Sequence, residues 1–289
     1  MSDHSGEHRR RRRTDRKSDH CLIITVDLED HTVPPASPRF DRAIEPLLAV
    51  LAERQARATF FVVGELVPRC ASQLRDLAEA GHEIGLHGFT HQHVLDLGPK
   101  LFADQIRQGI ETLGEHVGVS PAGFRAPYCS MTDKTPWAPE ILSDAGFGYS
   151  SSVMPAWNPI AGYPGAPTRP FRWPSGLLEL PAPIFGLGRF ALPVLGGAYL
   201  RLMPWAVVWA AGRTRSADNG DWTYIHPYDL DTEEPFFRRP GQSWIEAKLL
   251  FARRTLMFRR VAGFIGTGTP TLGEYALRLG HSDGVPTFG

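Results

Sequence analysis

Cysteine is scarce in this 289-residue chain. Cys21, Cys70 and Cys129 are an odd number, and none stands in a CxxC or zinc-finger spacing. That excludes a disulfide framework or a thiolate zinc module as the organising device. Reduced, partly buried thiols are expected instead. A charge excess is also lacking: 31 Lys and Arg stand against 31 Asp and Glu. No whole-molecule field therefore selects an acidic polymer, and no specific nucleic acid partner is expected. Nor is there a clean membrane-spanning run. The most apolar stretch, 184–211, is broken by Pro193, Gly196, Gly197 and Pro204 and interrupted by Arg189 and Arg201. It reads as a buried hairpin and helix, with a membrane-facing apolar patch as the other reading. Residues 1–20 hold no aliphatic side chain beyond Met1 and no apolar stretch behind Arg9–Arg13, so no signal peptide is recognised. A disordered basic tail and a cytoplasmic location are the expectations.

Hydrophobic residues at 42% and charged residues at 21% allow a sizeable core, and the length suits one large α/β domain over 21–289. The folded part starts at CLIITVDL (21–28), a continuous apolar run expected of a strand buried on both faces. Ile44, Leu47, Leu48 and Leu51 then recur at helical spacing. ATFFVVG (58–64) and HEIGLH (82–87) read as further strands, with a helix over 70–80 between them. Phe102, Ile106, Ile110 and Leu113 mark another amphipathic helix. Alternation of this kind implies a parallel sheet with crossover helices. Residues 157–183 look like long loops, WTYIH (222–226) like a late strand, and 243–264 like one long basic helix.

Three segments fall at strand C-termini, where parallel α/β proteins place their chemistry. Asp27-Leu28-Glu29-Asp30 sets three carboxylates in four positions, an arrangement that needs a cation or a shared proton unless it is a solvated acidic turn. His87-Gly88-Phe89-Thr90-His91 is an i, i+4 histidine pair whose imidazoles converge if a helix begins there. Two imidazoles and a carboxylate suit Zn2+, Co2+, Ni2+ or Fe2+ and leave room for water. His93 is a competing ligand. Phe124-Arg125-Ala126-Pro127-Tyr128 ends a strand at Pro127 and can aim Arg125 at a carboxylate, in the site or in an ordinary salt bridge. His226, before Pro227, decides nothing alone.

In this order the segments TVDLED, GHEIGLHGFTH, FRAPY and IHPYDLD resemble the motifs of the NodB-type polysaccharide deacetylases, carbohydrate esterase family 4, over roughly residues 21–280. LGGAYLRLMPW is similar to the branch found beside exopolysaccharide and exosortase loci. The resemblance implies an α/β fold, a distorted (β/α) barrel with its site at the C-terminal face of the strands. It implies a divalent-metal hydrolase that removes an N-acetyl group from an amino sugar in a glycan. Asp27 would be the general base and Arg125 its holder. Glu29, His87 and His91 would be metal ligands, with Asp30 the less favoured carboxylate, and His226 the general acid. The backbone at Tyr128 would help bind the oxyanion. Tyr128, Pro127, Trp157 and Tyr228, with Phe185, are candidates for contact with sugar. A deformylase, another amide hydrolase of the same fold, and a glycan-binding protein with a residual metal site are the rival readings.

One position departs from the pattern. Close relatives have Asp where this chain has Ser150, the residue expected to orient the acid histidine, which leaves Glu179, Asp229 or no acid to orient His226. With no exported leader recognised, a glycan precursor, lipid-linked or nucleotide-linked, is the expected substrate. The Arg9–Arg13 run and the apolar 184–211 stretch fit peripheral contact with the inner face of a membrane.

Overall fold

The structure is a computed structural model that describes residues 21–31, 39–158, 160–280 and 284–289. The expected tail, residues 1–20, lies outside the described residues. The chain alternates as anticipated: β1 (Ile23–Leu28), α1 (Phe40–Glu53), β2 (Ala58–Val62), α2 (Val67–Glu79), β3 (Glu83–Leu86) and α3 (Val94–Val117). Short strands follow, β4 (Gly123–Phe124), β5 (Tyr149–Ser150), β6 (Phe171–Arg172) and β7 (Leu178–Glu179), with α4 (Ala138–Asp144) between β4 and β5. The remainder is α5 (Gly197–Leu202), α6 (Trp205–Arg213), β8 (Trp222–Ile225), α7 (Pro227–Leu230), α8 (Trp244–Phe251), α9 (Arg254–Ala262) and α10 (Leu272–Gly280).

The eight strands form one curled sheet in the order β6-β7-β5-β4-β3-β2-β1-β8, parallel throughout except for the β6–β7 pair. The strand ends β6 and β8 do not pair, so the barrel is half closed, a mixed α/β architecture of the distorted (β/α)-barrel kind. Every residue of β1 and β2 is buried, which is why their sequences are unbroken apolar runs rather than alternating ones. On the outside, Phe102, Ile106 and Leu113 of α3 and Ile44, Leu47 and Leu51 of α1 cover the sheet.

One local expectation fails for a physical reason, and another is met. The helix expected over 243–264 is two helices. Ala252 is extended and Arg253 takes φ 56°, while the Ala252 carbonyl accepts a hydrogen bond from the Arg201 side chain at 2.6 Å instead of continuing a helix. The apolar 184–211 stretch does hold a hairpin-like bridge, Phe185 to Leu192, and then α5 and α6. Among the described residues no helix is long and apolar enough to cross a membrane.

The paired glycines Gly196 and Gly197 exist for close approach. A Cβ on Gly196 would stand 2.0 Å from the Tyr224 ring, and Gly197 sits at φ 48° against the same ring. Gly196→Ala is therefore expected to destabilise the protein by about 1–3 kcal/mol through overpacking, read as a lowered midpoint in thermal or urea unfolding. An unchanged midpoint would show that the segment moves aside freely.

Candidate active site

Thr25, Asp27 and Glu29 follow the two-residue alternation of β1, which sets their side chains toward the mouth of the half-barrel. Asp27 meets Arg125, which leaves β4 at a buried position with 1% exposure. Arg125 Nη1 donates to Asp27 Oδ1 and to Thr25 Oγ1, both at 2.7 Å. Its Nε and Nη2 reach the Ser151 carbonyl and hydroxyl. The guanidinium lies between the rings of Phe61 and Trp222, 4.3 and 4.2 Å from their centroids. A planar, permanently charged group with five donors is the side chain that can satisfy this set of partners in a buried place.

The histidine pair converges, but not on a helix. Residues 87–93 are irregular, α3 begins only at Val94, and His91 adopts φ 54° after Gly88 at φ 68°. The loop is held from outside: Gly64 N–H donates to the Gly88 carbonyl, and buried Gln105 hydrogen-bonds Thr90. The two ring centroids end 5.1 Å apart. His87 Nδ1 lies 2.9 Å from the Arg125 carbonyl. A carbonyl can only accept, so this nitrogen carries the proton and Nε2 is left with its lone pair.

His91 Nε2 abuts Glu29 Oε2, yet it is a buried ring nitrogen with no aligned hydrogen bond. One donor atom from each of Glu29, His87 and His91 falls within 4.8 Å of the others. An orphaned imidazole nitrogen, a second one with its tautomer fixed and a carboxylate are the donors a divalent cation requires, and the three fit that group. Asp30 points elsewhere, toward Arg69 at 3.8 Å, and His93 stacks on Tyr128. Burial pulls the His87 pKa down to about 4, so it stays neutral, as a ligand must. Burial pushes Glu29 up, but His226, His91 and His87 outweigh it and hold the acid well below the usual carboxylate range.

His226 closes the other side, its Nε2 3.8 Å from Glu29 Oε1. Its Nδ1 pairs with Asp229 Oδ2 at 2.9 Å, and Asp229 also accepts the His226 backbone N–H. Behind Asp229 stands fully buried Arg201, Nε to Oδ1 3.0 Å. Of the possible orienters, then, Asp229 is the partner. Glu179 turns away and accepts from Ser152 N, Val153 N and Trp173 Nε1. Burial lowers the His226 pKa, but the Glu29 charge and the Asp229 hydrogen bond and charge outweigh it and raise it to about 9.

Asp27, Glu29, His87, His91 and His226 line one pocket of about 350 Å³, together with Tyr128, Cys129, Met154, Asn158, Ile160, Tyr199, Tyr224 and Tyr228. Tyr128 and Tyr228 are therefore placed as expected, Tyr128 over His91 and Tyr228 stacked on His226 at 4.7 Å. Pro127 and Trp157 do not line the pocket. Pro127 is buried beneath Gly88, and Trp157 faces solvent with 62% exposure. Phe185 is likewise absent from the lining. The sequence reading missed Arg201, Tyr199 and Tyr224. The Gly196-Gly197 pair, a sign of close backbone approach, was the available signal.

Residues 14–149 match the family model described as polysaccharide deacetylase. The match covers just under half of the chain, which over this stretch is similar to polysaccharide deacetylases. Residues 151–264 match a second model, described as a domain of unknown function (DUF3473), and contribute β6, β7 and β8 to the same sheet. Among curated relatives, the peptidoglycan deacetylase of Helicobacter pylori is 29% identical over 111 residues, 38% of this chain and 37% of that protein. The chitooligosaccharide deacetylase of Rhizobium leguminosarum bv. phaseoli is 36% identical over 93 residues, 30% of this chain and 39% of that one. The chain thus spans well under half the length of these relatives. A crystal structure described as a putative polysaccharide deacetylase from Mycobacterium smegmatis superposes with a TM-score of 0.59 at 24% identity, covering 94% of both chains. That likeness establishes the fold.

Two variants separate the roles of the acids. Ser150, wholly buried, hydrogen-bonds Ser152 and pairs in register with Glu179 across β5 and β7. Ser150→Asp sets a second carboxylate beside Glu179, so it should lower stability by at least about 2 kcal/mol without increasing turnover. A gain in turnover would show that an acid at 150 reaches the histidine. Asp229→Asn removes the charge that raises the His226 pKa. The imidazolium then loses its proton at lower pH, and the basic limb of any pH–activity profile should shift downward, with a fall in kcat. An unmoved limb would detach Asp229 from the titrating group.

Proposed function

We propose that the chain is a metal-dependent amide hydrolase that removes the acetyl group from the nitrogen of an amino sugar in a glycan or glycan precursor. The observation that carries this reading is the junction, in one pocket, of three unlike sets. These are the Glu29, His87 and His91 donors, the Asp27–Arg125 pair, and the His226–Asp229 pair. A binding site alone does not need a carboxylate and an imidazolium on opposite sides of a cation site. Amide hydrolysis does, because water must lose a proton while the leaving nitrogen gains one.

Glu29, His87 and His91 would hold the ion, and two nitrogens with one carboxylate oxygen favour Zn2+ over hard cations such as Mg2+. Such an ion lowers the pKa of water toward about 7 and polarises a carbonyl oxygen. Asp27, fixed by Arg125, accepts the proton from the attacking water. The backbone N–H at Tyr128 is the candidate donor to the developing oxyanion. His226, protonated at neutral pH, delivers its Nε2 proton to the amine, and Asp229 steadies the imidazole through Nδ1. Tyr128 and Tyr228 offer ring faces on which a sugar can stack. Two of the matched proteins are named as deacetylases of peptidoglycan and chitooligosaccharide, which supports N-acetylglucosamine-containing chains as the substrate class.

The test is acetate release from N-acetylglucosamine oligomers by metal-reconstituted protein, beside a chelated sample. Release that chelation abolishes is expected. His87→Ala should lose the bound metal, and His226→Ala should lower kcat by about 10²- to 10⁴-fold while retaining it. Full metal content and full activity in His87→Ala would overturn the ligand assignment. Release of formate from a formylated analogue, with none of acetate, would replace deacetylation by deformylation.

A further inference from the structure

Helix α8 is built unlike the other helices that cover the sheet. Of its eight residues, WIEAKLLF, only Ala247 is buried, whereas Trp244, Ile245 and Leu249 are 58%, 72% and 46% exposed. Its Ser243–Glu246 capping box fixes where it starts, so it is an ordered helix that turns a large apolar surface outward. Helix α6 repeats the pattern: Trp205 and Trp209, one turn apart, are each half exposed, and Arg213 a turn further lies over the Trp209 ring at 4.7 Å.

The two helices are tied together through α5 and α9. Arg201, just before α6, donates to the carbonyls of Leu249 and Leu250, and Arg253, just after α8, donates to the Leu202 carbonyl. Arg260, from α9, binds the Leu200 and Met203 carbonyls and stands 5.8 Å from the Trp205 ring. Along these segments the exposed charges are mostly positive. Arg213, Arg238, Lys248, Arg253 and Arg259 are exposed, against Glu246 alone over the same segments, 205–213 and 236–259.

We infer that α6 and α8 form a docking surface for an anionic lipid bilayer. Exposed Trp, Ile and Leu enter the interfacial layer, and the arginines and lysine around them meet lipid phosphates. A soluble protein partner would also accept apolar side chains. The predominantly cationic surround and the Trp–Arg pairing are the chemistry of an interface between hydrocarbon and anionic headgroups. The surface lies next to the pocket along the chain, because Gly197 and Tyr199, which line it, lead directly through α5 into Trp205. A substrate carried on a lipid would thus be met where it is anchored. Lipid binding itself does not depend on the proposed deacetylation.

The experiment is vesicle flotation of the full chain. It compares phosphatidylcholine vesicles with vesicles of phosphatidylcholine and phosphatidylglycerol, at low and high salt. At least about tenfold more protein should float with the anionic vesicles at low salt, falling as salt screens the arginines. The double variant Trp244→Ser, Ile245→Ser should lose about tenfold of that binding. Arg213→Glu with Lys248→Glu should lose the preference for anionic lipid. All of these positions are exposed, so each variant should keep the wild-type melting curve and its turnover of soluble oligomers. Wild-type-like flotation of the variants would assign binding to the Arg9–Arg13 run and overturn the inference. So would a dimer in gel filtration that the Trp244 and Ile245 changes dissolve without any lipid binding, which would give the surface to a second copy.

Discussion

The structure depends most on the buried guanidinium of Arg125. A cation with 1% exposure is tolerable only if every direction around it is answered. Here the answers come from the whole sheet: Thr25 and Asp27 from β1, Ser151 from the end of β5, and the rings of Phe61 on β2 and Trp222 on β8. Removing one partner of such a pair typically costs about 3–5 kcal/mol, because the other charge is left buried and alone. The proposed base and the core are therefore one object. Asp27 answers the buried charge of Arg125 and is fixed in place by it. Arg125 also orients a proposed metal ligand, since its carbonyl accepts a hydrogen bond from His87 Nδ1 and leaves Nε2 with its lone pair.

The acid side is built on a separate principle. His226 has no rigid strand neighbour to orient it, and the serine at 150 offers no charge. A carboxylate three residues downstream does the work, on the turn of α7 that follows β8. This arrangement carries an electrostatic consequence. A cation between Glu29, His87 and His91 would neutralise Glu29, one of the groups that raises the His226 pKa, and would itself repel an imidazolium. Asp229 is then the acid that keeps the proton in place. Its own burial would favour the neutral acid, but the hydrogen bond and charge of His226, with the charge of Arg201, keep it ionised.

The parts legible in the sequence were those with a period or a long run. β1 and β2 are buried on both faces and read as unbroken apolar segments, and α3 shows its stripe at Phe102, Ile106 and Leu113. Strands β4 to β7 have two residues each, too few to show any alternation, and only their neighbours in the sheet define them. His87 and His91 were recognisable as a pair, but their spacing suggested a helix. A left-handed His91 after a left-handed Gly88 achieves the convergence instead, and Phe89 packed on Gly64 hides that geometry from any local pattern. Arg201 read as an interruption of an apolar stretch. In the fold it is a buried cation that joins Asp229 to the end of α8, a role set by residues nearly 30 and 50 positions away.

The same contrast explains how the stretch from His226 to Arg260 is attached. Its outer helix, α8, turns its apolar side chains outward and so adds little to the core. Ion pairs join the segment to the rest of the chain, Arg201 to Asp229, Arg39 to Asp231 and His31 to Glu234, beside Met257 buried in the core. Buried pairs of this kind contribute little net stability compared with apolar packing, but they are directional and tolerate few alternatives. An acid histidine at the start of such a segment is positioned by geometry rather than by bulk burial. The exposed apolar surface at its other end is then free to be used, because the fold does not rely on it to stay closed.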